Sequence, residues 1–114
     1  MIVEYPIDSI AVRQWSSRST NGGSTGVAVA GVYLFEGETY RGYIYFYPDG
    51  TELRPPAINL AQGQIQLHFN LSQYNSTLDL LHNEGAVALY YASSTDAGLK
   101  SGKDPFAARA QDAV

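Results

Sequence analysis

Between Gln64 and Leu71 the chain alternates without a break: Ile65, Leu67, Phe69 and Leu71 are apolar, and Gln64, Gln66, His68 and Asn70 are polar. Side chains along a strand point to opposite faces, so this segment demands a β-strand with one buried and one polar face. A helix is predicted directly after it, over about 72–84. Ser72 is a candidate N-cap, Tyr74, Leu78 and Leu81 recur at i, i+4, i+7, and Gly85 supplies the stop. A strand that passes at once into a narrow amphipathic helix points to an α+β fold in which the helix covers one sheet face.

The other segments extend this pattern. Ile7 to Trp15 and Val27 to Phe35 read as strands, separated by a Ser/Gly-rich loop from Ser16 to Gly26. Glu36–Thr39 is a hairpin turn, Tyr40 to Tyr47 the third strand, and Pro48-Asp49-Gly50 a second turn. Pro55-Pro56 leaves room only for a short edge strand and a loop before Gln64. Ala86 to Ala92 is the last expected strand, and periodicity is lost from Ser93 onward. The expectation is an α+β domain over 1–104, an antiparallel twisted sheet of about five strands in the order ββββαβ. A poorly ordered tail is expected over 105–114.

Composition narrows the function. The 114 residues include no cysteine, which removes disulfides, thiolate metal sites and thiol nucleophiles together. The net charge of −4 is scattered, whereas a phosphate-backbone binder clusters Lys and Arg. No apolar run reaches membrane-span length and Met1-Ile2-Val3-Glu4 lacks the basic start of a leader, so no membrane contact is expected, and a cytoplasmic, bacterial setting is. The sequons Asn70-Leu71-Ser72 and Asn75-Ser76-Thr77 are read as coincidence in that setting.

Chemistry-bearing motifs are sparse. His68 and His82 form no metal-binding spacing, so no metal or cofactor is expected; His82 suits a helix C-terminus, and His68 is the one candidate proton carrier. The carboxylate pairs Asp49/Glu52 and Glu36/Glu38 fall where solvated turn residues belong, and no nucleophile elbow is present. Asn21 to Gly26 is glycine-rich but lacks the Gly-Lys-Ser/Thr ending of a phosphate loop.

What stands out is Tyr40-Arg41-Gly42-Tyr43-Ile44-Tyr45-Phe46-Tyr47, with four of the nine tyrosines. Alternation sends Ile44 and Phe46 to the core and Tyr43, Tyr45 and Tyr47 to the opposite face. A regular hairpin at Glu36–Thr39 would place those tyrosines with Ala28, Ala30, Val32 and Leu34, and Ile44 and Phe46 with Tyr33 and Phe35. Val87, Leu89 and Tyr91 would face inward and Tyr90 outward, beside Gln66 and His68, with Trp15 as an anchor at the end of the first strand. Rigid amphipathic rings mixed with Gln and His are the material of recognition surfaces. The expected function is a non-enzymatic protein-interaction module, self-associating or binding another protein through this face. The alternative is a ligand-binding domain that stacks a sugar or single-stranded nucleic acid on the tyrosines, with only Arg41 and Arg54 nearby to meet phosphate.

Overall fold

The computed structural model describes residues 2–16, 27–83 and 85–101. Its architecture is mixed α+β: two sheets, mostly antiparallel, and one helix. The strands are β1 (Val3–Ile7), β2 (Ser9–Gln14), β3 (Ala30–Glu36), β4 (Thr39–Tyr47), β5 (Ala57–Asn59), β6 (Gln64–Asn70), β7 (Val87–Ser93) and β8 (Asp96–Ser101). A five-stranded sheet has the order β2-β3-β4-β6-β5, and a three-stranded sheet the order β1-β7-β8. The loop expected over 17–26 and the tail over 105–114 lie outside the described residues.

The strand expected from Ile7 to Trp15 is broken at Asp8, which links the last residue of β1 to the first of β2 in the other sheet. The Asp8 carboxylate accepts the Gly37 N–H at 2.8 and 3.1 Å, and its own N–H donates to the Phe35 carbonyl at 3.0 Å. Asp96–Ser101, expected to be irregular, pairs with β7 and sets Ala97 and Leu99 opposite Tyr91 and Leu89. Pro55-Pro56 is followed by the short edge strand β5, as the prolines require. Strand β6 enters between β5 and β4, and lies parallel to β4.

Gln64 to Asn70 forms β6 with Ile65 and Leu67 fully buried. A 3-10 turn over Leu71–Gln73 then runs into α1, Tyr74–Asn83. The cap is Asn70 rather than Ser72. The Gln73 side chain accepts the Asn70 N–H at 3.1 Å, and Asp49 accepts the Ser72 N–H at 3.0 Å. A carboxylate at this end also opposes the positive pole of the helix. Among the described residues no helix is long and apolar enough to cross a membrane.

The core lies on one face of the five-stranded sheet. Ala30, Val32, Leu34, Ile44, Phe46, Ile65 and Leu67 meet Leu89 of the second sheet. Tyr5, Ile7, Tyr91 and Leu99 of that sheet, and Tyr74, Leu78 and Leu81 of the helix, pack around them. Helix and second sheet together therefore cover the inner face.

The partners of the β4 side chains differ from those a regular hairpin would give. Glu36 faces Thr39 and Phe35 faces Tyr40, but Arg41 is an extra residue, and Leu34 then faces Gly42. This bulge shifts the remaining pairs by one residue: Tyr33 with Tyr43, Val32 with Ile44, Gly31 with Tyr45, and Ala30 with Phe46. Ile44 and Phe46 thus share the core face with Ala30, Val32 and Leu34. Tyr43 and Tyr45 share the outer face with Tyr33 and Gly31, not with the alanines.

Candidate functional site

The bulge at Arg41 and Gly42 concentrates the aromatics. Without an extra residue, Tyr40 and Tyr43 would point to opposite faces; with it, both join Tyr33 on the outer face. The Tyr33 ring lies 6.3 Å from Tyr40, 6.5 Å from Tyr43 and 6.2 Å from Tyr45, and its hydroxyl is 3.3 Å from that of Tyr45. Tyr43 and Tyr45 stack on each other, 4.0 Å apart with 23° between planes. Phe35 extends the cluster through Tyr40 at 5.7 Å.

Trp15 joins from the end of β2, where its N–H donates to the Val29 carbonyl at 2.9 Å. Its ring meets Tyr45 edge to face at 5.8 Å. The meeting place is Gly31: a Cβ there would lie 2.8 Å from the Trp15 ring and 3.2 Å from the Tyr45 ring. Glycine leaves the space that both rings fill.

On the β6 side, pairing sets Tyr43 opposite Gln66 and Tyr45 opposite His68. The His68 Nδ1 is 3.1 Å from the Tyr47 hydroxyl, and its ring lies 6.1 Å edge-on to Tyr43. Tyr47 is only 6% exposed, so this hydroxyl is a buried polar group with a partner. The other outer rings are half-buried. The face therefore unites Trp15, Tyr43, Tyr45, Tyr47, Gln66 and His68 of the expected set, and adds Tyr33, Phe35 and Tyr40.

Tyr90 does not belong to it. Strand β7 lies in the other sheet, whose inward residues Leu89 and Tyr91 pack on the core. Tyr90 points away from them, its hydroxyl donating to Asp96 at 2.9 Å and its ring 5.8 Å from the Lys100 ammonium. The hydrogen bond to Asp96 is the main reason its hydroxyl titrates above the ordinary tyrosine range. Local alternation gave the direction of Tyr90 correctly but could not show that its strand belongs to a separate sheet.

Two ionisations in the cluster are displaced. Burial, aided by Tyr45, Tyr43 and Tyr33, pushes the Tyr40 hydroxyl up to about 12, so Tyr40 stays neutral well into alkali. Burial first, then the nearby Arg54 charge, lowers the pKa of His68 below its usual 6.5. A histidine whose folded pKa is depressed binds fewer protons folded than unfolded, so stability is complete above about pH 6.5 and declines as pH falls below it. Replacing His68 with glutamine should flatten this part of the stability–pH curve, measured by urea melts from pH 8 to 5. An unchanged slope would show that His68 is not the group responsible.

Arg41 and Asp49, near the cluster, have structural partners. Arg41 donates from Nε to Glu36 at 2.9 Å and from an Nη to the Gly63 carbonyl at 3.2 Å, and lies 4.2 Å over the Tyr5 ring. Asp49 serves the helix start. Among the described residues no three His, Asp or Glu side chains gather as a metal site would require. Comparison with family models, with curated proteins and with solved structures gave no match.

Proposed function

We propose that this chain is a small non-enzymatic binding module that acts through protein contact, self-associating through the aromatic outer face of its five-stranded sheet. The observation that carries this reading is the contiguous cluster from Trp15 through Tyr45, Tyr33 and Tyr43 to His68, on the face opposite the core. The largest fully buried side chains, Phe46, Leu34, Ile44, Ile65, Leu67, Leu89 and Val32, all belong to the core and none to this cluster. A patch centred on Tyr and Trp, with charge kept to its margin, has the composition of an interface centre.

The ring geometry also favours a protein partner over a stacked sugar or base. A stacking platform presents open ring faces, and Tyr43 and Tyr45 each use one face on the other. Of the arginines near this face, Arg41 already neutralises Glu36, and Arg13 stands at its margin, on the edge strand β2 opposite Gly31.

Trp15 is the single tryptophan of the chain and sits in the cluster, so its emission reports on this face alone. Sedimentation from low micromolar to near-millimolar concentration should show a monomer–oligomer equilibrium, accompanied by a blue shift of Trp15 emission. Tyr45→Ser should weaken assembly by roughly 2 kcal/mol, about thirtyfold in dissociation constant, as expected for a central aromatic. A chain that stays monomeric throughout would overturn the reading. So would a Tyr45→Ser variant that assembles as the parent does.

A further inference from the structure

We infer that a second site, built by other elements, binds a small aliphatic amine. A cleft of about 400 Å³ opens where the chain crosses between the sheets at Asp8, closed on its third side by the last turn of α1. This volume lies in the range of small-molecule sites. Its apolar lining is Ile7, Ile10, Leu81 and Val87. The first three pack against the core cluster from its margin, so the floor is a surface of aliphatic side chains that the fold itself fixes.

The polar lining is Asp8, Ser9 and His82. Asp8 is held at both ends, its N–H by the Phe35 carbonyl and its carboxylate by the Gly37 N–H. One N–H donor leaves most of the carboxylate lone pairs available. Among the described residues no lysine or arginine lines the cleft, and His82 is the base that does. The C-terminal end of α1 adds the negative pole of its dipole on the same side. A fixed carboxylate beside an aliphatic floor selects a cation carried on a short hydrocarbon body and disfavours an anion of the same shape. The ammonium group would meet Asp8, and the hydrocarbon would lie on Ile7, Ile10 and Leu81.

The test uses n-butylamine, with n-butanol and butyrate as controls, followed by the amide NMR shifts of Ser9, Ile10 and His82 in the full chain. The amine should give saturable shifts, and the alcohol and the acid should bind at least about tenfold more weakly. Asp8→Asn keeps an oxygen for the Gly37 N–H and should weaken the amine at least about tenfold. Gly85 also lines the cleft, and a Cβ there meets nothing within 4 Å. Gly85→Leu should therefore narrow the cleft and weaken the amine without lowering the melting temperature, a result that stands even if Asp8→Asn does not fold. Equal binding of butanol and butylamine, unsaturable shifts, or unchanged amine binding in a folded Asp8→Asn or Gly85→Leu protein would each overturn the assignment.

Discussion

Replacing Gly42 by alanine should cost at least about 3 kcal/mol, lowering the melting temperature by roughly 12 °C or more. Two effects combine at this position. Its φ of 146° lies in a region that residues with a Cβ rarely adopt. An added Cβ would also stand 1.8 Å from the carbonyl oxygen of Ile65, and 2.8 Å from its carbonyl carbon. That obstacle is the backbone of the neighbouring strand β6, which no rotamer change can move aside. The only relief is to part β4 from β6 in the middle of the sheet, or to lose the bulge and with it the positions of the tyrosines. Gly37→Ala is the control: it too has a positive φ, of 61°, but a Cβ there meets nothing within 4 Å. Its cost should stay near 1 kcal/mol. Equal losses in the two variants, measured by urea unfolding, would show that close approach at Gly42 does not set the register.

Phe46→Ala is the second large effect, about 3–5 kcal/mol by the usual cost of truncating a buried aromatic. Phe46 is 0% exposed, and its ring meets Phe69 at 5.9 Å and Tyr74 at 5.0 Å, both nearly at right angles. It therefore joins the central strand to the start of the helix, and its removal should loosen α1 as well as the sheet. Tyr45, one residue earlier, belongs to the opposite face, so Tyr45→Ser should cost markedly less stability while affecting assembly. Thermal melts by far-ultraviolet circular dichroism separate the two. If Tyr45→Ser unfolds the protein as readily as Phe46→Ala, the outer cluster is a second core rather than a working surface.

Much of this was legible locally. The alternation from Gln64 to Asn70 fixed β6 and its buried side, and the spacing of Tyr74, Leu78 and Leu81 fixed the helix face. Ile44 and Phe46 were assigned to the core correctly. Which side chains accompany them was not legible, because a single extra residue at Arg41 reverses every pairing from Gly42 onward. The signal was there in the isolated glycine within an aromatic strand, a position that marks bulges and close backbone approach. Its consequence was the recruitment of Tyr33 and Tyr40. Strand β8 went unseen because Asp96-Ala97-Gly98-Leu99-Lys100-Ser101 carries too little apolar alternation. It is a strand because Leu99 and Ala97 reach the core beside Leu89 and Tyr91.

By itself, then, the sequence determined which segments are strands or helix wherever period and turn chemistry are strong, and which side of each strand is apolar. These are properties of neighbouring residues, decided by backbone geometry within a few positions. Tertiary structure alone decided that Asp8 divides one apparent strand between two sheets, that Tyr90 lies on a different sheet from Tyr45, and that Gly31 and Gly42 shape the aromatic face. Those outcomes depend on which strands lie side by side, and pairing is set by contacts between residues far apart in the chain.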